Sequence, residues 1–107
     1  MRHRKGSATV FAALGDETRL RLISHLCECG PASITGLTAG SKVTRQAITK
    51  HLQVMERAGL VRSSRHGRES LWQLEHRRLE YARRHLDVIS KRWDDALGRL
   101  RSLVEDD

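Results

Sequence analysis

From Leu79 to Leu103, apolar residues return at alternating intervals of three and four: Leu79, Ala82, Leu86, Ile89, Trp93, Ala96, Leu100 and Leu103. That spacing follows one side of an α-helix. Sustained for more than three heptads, it describes a narrow seam that must be covered. A helix over residues 79–104 runs about 39 Å, more than a short chain covers with its own surface. A second copy is the economical cover, and packing wholly within one subunit is the alternative. The seam assigns Leu79, Leu86, Ile89, Trp93, Leu100 and Leu103 to a dimer interface, with Leu97 and Val104 widening the stripe toward the body of the domain. Gly98 lies off the seam and costs about 1 kcal/mol of helix propensity, which so much packing absorbs.

A chain of 107 residues fits one domain, read here as residues 7–107 behind a flexible basic arm at residues 1–6. A core of this size gains from burying more apolar surface against a partner. The net charge is +7, and it is unevenly placed. Residues 1–78 hold fourteen Lys/Arg against six Asp/Glu, whereas residues 79–107 hold six against seven. A basic lobe raises the local concentration of a polyanion, and nucleic acid is the usual one. No apolar run approaches the roughly 20 residues a spanning helix needs, and no apolar leader core opens the chain, so a cytoplasmic protein without a membrane partner is expected. One Tyr and one Phe offer little stacking for single-stranded bases, which favours duplex DNA.

Local signals divide the rest into short elements. Ser7 is a possible cap for a first helix carrying Val10, Phe11 and Leu14 and ending at Gly15. Asp16 caps a second helix with Leu20, Ile23, Leu26 and Cys27 on its buried stripe, stopped by Gly30-Pro31. Ser33 caps a third through about Ala39, with Ile34 and Leu37 inward, and after a turn Thr44 caps a fourth. Two short helices joined this way form a helix-turn-helix. Gly59 suits the left-handed residue that closes the fourth helix, with Leu60 folded back on its last turn. Leu60–Ser64 and Glu69–Leu74 flank Arg65-His66-Gly67-Arg68 and read as a two-stranded hairpin with a basic tip, Trp72 and Leu74 sharing one face.

In the fourth helix Ala47, Ile48, Leu52 and Met55 recur at helical spacing on the buried side. Thr44, Arg45, Gln46, Thr49, Lys50 and Gln53 fall opposite, a set of hydrogen-bonding and cationic groups suited to base edges and phosphates. Gln46 can pair bidentately with adenine, Arg45 or Lys50 can reach guanine or phosphate, and Arg68 suits phosphate or a narrow minor groove. The fold class is therefore mainly α with a small β-hairpin: a winged helix-turn-helix whose last helix lies in a dimer interface, to which the resemblance described next adds the N-terminal helix.

These pieces, in this order, resemble the ArsR family of bacterial winged-helix transcriptional regulators. Phe-Ala-Ala-Leu-Gly-Asp-Glu-Thr-Arg-Leu-Arg-Leu-Ile (11–23) is similar to the family's opening pattern, and Thr44 to Leu52 with Met55, Ala58, Gly59, Leu60 and Val61 to its recognition segment. The resemblance spans Phe11 to Val104. It implies a homodimer joined by terminal helices, a recognition helix in each major groove, wings toward the flanking backbone or minor groove, and repression by occupying a promoter. Carried over by position, Thr44, Arg45, Gln46, Thr49, Lys50 and His51 face DNA, and Arg65, His66 and Arg68 form the wing tip. For His51, an orienting, partly buried role stands equal to direct contact.

The chain departs from the metal-sensing members of the family. Where they carry Cys-x-Cys in the third helix it has Ser33 and Thr35, which are not soft thiolate ligands. His76 and His85 lie nine apart on different faces of a helix, so no metal site and no cofactor is assigned. Cys27 and Cys29 point about 200° apart on their helix. Cys27 is expected as a small core residue and Cys29 as a half-exposed thiol. No phosphate loop, serine elbow or zincin helix assembles, so no catalytic residue is named and an enzyme is not expected. The function read is a sequence-specific homodimeric repressor on a near-palindromic operator, with an unknown inducer. A thiol- or redox-responsive repressor using Cys27 and Cys29, and a non-specific DNA-coating protein, are the alternatives.

Overall fold

The computed structural model describes residues 6–105, so the basic arm, apart from Gly6, lies outside the described residues. The elements in chain order are α1 (Ser7–Leu14), α2 (Glu17–Cys29), β1 (Ala32–Ser33), α3 (Ile34–Thr38), α4 (Arg45–Arg57), β2 (Val61–His66), β3 (Glu69–Leu74) and α5 (His76–Glu105). Side-chain caps start three of the helices where the sequence places them. The side chains of Asp16, Ser33 and Thr44 accept from the backbone N–H of Arg19, Gly36 and Ala47, each satisfying a donor with no partner inside the helix. Ser7 is not a cap. Gly6 takes that position, and Ser7 begins α1 with its hydroxyl buried and without a hydrogen-bond partner among the described residues.

The core collects Val10 and Ala13 of α1, Leu22, Ile23 and Leu26 of α2, Leu37 of α3, Ile48, Leu52 and Met55 of α4, then Ala58, Leu60, Val61, Trp72 and Ala82. The buried stripe of α2 differs in phase from the expected one. At 100° per residue Leu22, Leu26 and Ile23 span an arc of about 100°, and Leu20 and Cys27 fall together on its outer flank. Leu20 is 48% exposed and Cys27 is exposed as well, so neither belongs to the core. Both phases share Ile23 and Leu26, and only the packing partners of α2 choose between them.

The wing is larger than a hairpin. After the turn at Gly30, whose φ is +80°, Ala32 and Ser33 pair antiparallel with Trp72 and Leu71, giving a three-stranded sheet of order β1-β3-β2. A two-residue strand carries no alternation to read in sequence. Between β2 and β3 the register runs from Val61 opposite Leu74 to His66 opposite Glu69. Only Gly67 and Arg68 remain in the loop, with Gly67 at φ +64° in the first loop position, as a type II′ hairpin turn requires.

Helix α4 closes as expected. The Leu60 N–H donates to the Met55 carbonyl at 2.9 Å and the Gly59 N–H to the Glu56 carbonyl at 3.0 Å, with Gly59 at φ +80°. Helix α5 starts three residues before Leu79 and packs its first turns against α1, where the Phe11 and His85 rings meet edge to face at 6.3 Å. Leu79 packs, half-buried, against the core of its own subunit rather than standing fully open on the seam. Beyond His85 every residue described is exposed. Leu97 and Val104 do not turn toward the domain body. They are 49% and 68% exposed and lie on the same stripe as Leu86, Ile89, Trp93 and Leu100.

Candidate nucleic-acid interface

Gln46, Lys50 and Gln53 are exposed along one side of α4, Thr44 and Arg45 are exposed at its start, and Thr49 and His51 are half-buried at its margins. The opposite side is held by Ile48, Leu52 and Met55, none more than 1% exposed. The rigid buried stripe therefore fixes the rotation of α4 and hence which side chains it presents. Three of the polar side chains are already engaged. The Thr44 hydroxyl oxygen accepts from the Ala47 N–H at 3.1 Å, which leaves its O–H free to donate outward. The Thr49 O–H donates to the Arg45 carbonyl at 3.0 Å, so this side chain offers its methyl group and oxygen lone pairs. Arg45 Nη1 donates to Thr35 Oγ1 at 3.1 Å, tying the first turn of α4 back to α3.

Thr35 was not legible as a positioning residue, because its partner is ten positions away and the pair forms only when α3 and α4 pack. Both positions of α3 singled out in the sequence are engaged in structural contacts. Ser33 caps α3 and Thr35 holds Arg45. Among the described residues, no group of three or more His, Cys, Asp or Glu side chains converges to hold a metal ion.

His51 is the second tethered residue. Arg19 Nη1 lies 3.2 Å from His51 Nδ1, while Arg19 Nε donates to the Ala13 carbonyl and the Arg19 backbone N–H donates to the capping Asp16 carboxylate. Arg19 falls in the middle of the buried arc of α2, between Leu22, Leu26 and Ile23. A charged residue on an apolar arc was the available signal for it, since such a group needs partners inside the domain. The Arg19 backbone N–H outweighs the opposing effect of burial and, with lesser pulls from the Arg19 guanidinium and His51, holds the Asp16 carboxyl below the usual carboxylate range.

In the wing, Arg65, His66 and Arg68 are all exposed but not equivalent. Arg65 and His66 stand on β2, paired with Ser70 and Glu69, and successive strand residues point to opposite faces. Arg68 alone of the three is at the loop, and Arg65 Nε reaches the Gly67 carbonyl at 3.4 Å. At the base of the wing, Arg62 is engaged: Glu75 lies 3.9 Å away, and the Gln73 amide oxygen, turned toward it, accepts from Nε and Nη2 at 2.9 and 2.7 Å. Lys42, exposed in the turn between α3 and α4, adds a cation to the same end and was not singled out from the sequence. Cys27 and Cys29 are both exposed.

Helix α3, the turn and α4 form a helix-turn-helix, and β2 and β3 supply its wing, which defines the class as a winged helix-turn-helix transcriptional regulator. A helix-turn-helix domain family matches residues 14–64. The ArsR-like transcriptional regulator from Rhodococcus sp. RHA1 superposes with a TM-score of 0.74 at 36% identity, covering 91% of each chain. An uncharacterised helix-turn-helix-type regulator of Bacillus subtilis is 43% identical over 65 residues, 55% of this chain and 71% of the relative. The arsenical resistance operon repressor of Staphylococcus xylosus is 26% identical over 86 residues, 80% and 82% of the two chains. A homodimeric winged helix-turn-helix domain from Mycobacterium bovis shares the fold at a TM-score of 0.62 and 21% identity, over 86% and 82%. The chain belongs to the ArsR family of transcriptional regulators.

Proposed function

We propose that this regulator is a homodimeric repressor that occupies a near-palindromic operator and acts through no catalysis of its own. Among the described residues, 7–105 make up the single winged domain, with residues 79–104 as its dimerisation helix. The observation that carries the reading is the exposure of Thr44, Arg45, Gln46 and Lys50 on α4 together with that of Arg65, His66 and Arg68 in the wing. The uncovered stripe of α5 supports the dimer. Repression accords with the relative that represses an arsenical resistance operon, and self-association with the homodimeric neighbour. A two-fold dimer places its half-sites about one helical turn, roughly 10 bp, apart.

Binding to the chain's own promoter and to random duplex, at matched salt, tests the reading. A specific repressor discriminates between them, whereas a DNA-coating protein does not. Within that assay Gln46→Ala is expected to relax sequence preference, costing about 1–3 kcal/mol at its site. Arg68→Ala is expected to weaken all sequences alike and to flatten the salt dependence. Equal effects of the two on random DNA count against the assignment.

The exposure of both cysteines favours one second reading, a thiol-responsive repressor. Their side chains diverge along α2, so the pair cannot close on itself. On the primary reading, zinc, arsenite, a chelator or a mild oxidant shifts operator affinity by less than about threefold, roughly 0.7 kcal/mol. A loss of tenfold or more that Cys29→Ser abolishes would establish the second reading.

A further inference from the structure

We propose that the cavity between α2 and the turn leading into α4 binds a small organic monocarboxylate, and that its occupancy weakens the hold of α4 on DNA. The cavity measures about 520 Å³, within the size range of small-molecule sites. Its floor is apolar, made by the buried Leu22, Leu37 and Ile48 with the half-buried Val43. The other lining residues include Arg21, His25 and Lys42, with the hydroxyl residues Thr18 and Ser41, and no Asp or Glu among the described residues lines it. Two permanent cations without a lining carboxylate call for an anion. The floor calls in addition for an apolar body, which neither inorganic phosphate nor a sugar-phosphate backbone supplies.

Arg21 and Ser41 are partly engaged but keep donors to spare. Arg21 Nη2 donates to Glu17 at 3.2 Å, yet both side chains are largely exposed, and so weak a surface pair leaves the guanidinium able to take a second carboxylate on its remaining N–H groups. Ser41 Oγ accepts from the Val43 N–H at 3.0 Å and the Ser41 N–H donates to the Thr38 carbonyl at 2.9 Å, so the residue is fixed in the turn with its hydroxyl proton still to donate. The same cavity touches the DNA-reading helix. Val43 directly precedes the Thr44 cap, and Ile48 lies on the buried side of α4. A carboxylate bound beside Lys42 sets a negative charge at the end of α4 that carries Thr44, Arg45 and Gln46, where it opposes the approach of the duplex backbone. Occupancy therefore releases DNA. This coupling rests on α4 being the DNA-reading helix, whereas the binding of the anion does not.

Benzoate, benzamide and acetate serve as probes, titrated at constant ionic strength into the ¹⁵N-labelled protein. Benzoate is expected to shift the backbone N–H resonances of Thr18, Arg21, Ser41, Lys42 and Val43 saturably, with a dissociation constant of about 1 mM, as a ligand of its size reaches. Benzamide has the ring without the charge and acetate the charge without the ring, and each is expected to bind at least about tenfold more weakly. Arg21→Gln and Lys42→Gln, both at exposed positions, are each expected to weaken benzoate about fivefold. No saturable shift below about 50 mM, benzamide binding as tightly as benzoate, or shifts that centre on the wing overturns the proposal. If benzoate fails to bind and Arg21→Gln instead flattens the salt dependence of operator binding, the cavity serves a duplex phosphate and the proposal falls. Saturating benzoate is expected to lower operator affinity about tenfold, with benzamide at the same concentration without effect. If Gln46→Ala and Lys50→Ala weaken operator binding while saturating benzoate does not, the coupling is overturned and the DNA-reading face stands; if those two variants also change nothing, the reading of α4 falls with it.

Discussion

Asp16, Ser33 and Thr44 show how far single residues can be read without a fold. Each side chain bonds a backbone N–H three positions on, so the whole interaction is written within one turn. The partners of Arg19 and Thr35 were not readable, because His51 and Arg45 lie on another helix. Cys27 was misplaced for a related reason, since a cysteine suits either side of a stripe whose phase is set from outside. The cap on α2 has a pH consequence. The Asp16 carboxyl is held below its unfolded range, so its contribution to stability is complete above the ordinary carboxylate pKa. It is lost as pH falls through the folded value, when the folded state must take up the proton. Asp16→Asn is therefore expected to flatten the acid limb of a stability-against-pH curve measured by chemical denaturation, and an unchanged limb would show that the cap carries no charge-dependent stability.

At the scale of elements, the two glycines that matter have opposite roles. Gly59 ends α4 at φ +80°, and a Cβ there would stand 2.9 Å from Arg78 Cγ. Gly59→Ala is expected to lower stability by about 1–2 kcal/mol, chiefly through the left-handed backbone. Gly98 lies inside α5 with nothing within 4 Å of a built Cβ, so Gly98→Ala is expected to raise stability by up to about 1 kcal/mol. Denaturant midpoints at one fixed protein concentration check both, since association shifts apparent stability. A stabilised Gly59→Ala would mean that the close of α4 relaxes into another turn. The α4 closure was legible because Ala58-Gly59-Leu60 carries its own geometry. Strand β1 was not, because two residues become a strand only when Trp72 and Leu71 lie alongside.

On the scale of the whole molecule, α5 dominates the shape. The described chain measures 68 × 37 × 21 Å, and no helix in it is long and apolar enough to cross a membrane. Trp93 is 64% exposed and Leu103 71% along a stripe whose burial a second copy would complete. On the proposed dimer, Trp93→Asp is expected to shift sedimentation toward monomer at micromolar concentration and to weaken operator binding in step, because a charge there would be buried without a partner. A variant that stays dimeric would put the subunit interface elsewhere. The sequence alone determined the helix-turn-helix, the close of α4, the register of hydrophobic positions along α5 and the identity of the polar face on α4. These rest on periodicity, caps and turn residues, whose interactions reach only a few positions along the chain. Tertiary structure alone decided the phase of α2, the third strand, the division of α5 between its own core and an open stripe, and the tethers from Arg19 to His51 and Thr35 to Arg45. Each of these depends on which surfaces meet in space, and that is settled by packing the elements together rather than by the order of residues within any one of them.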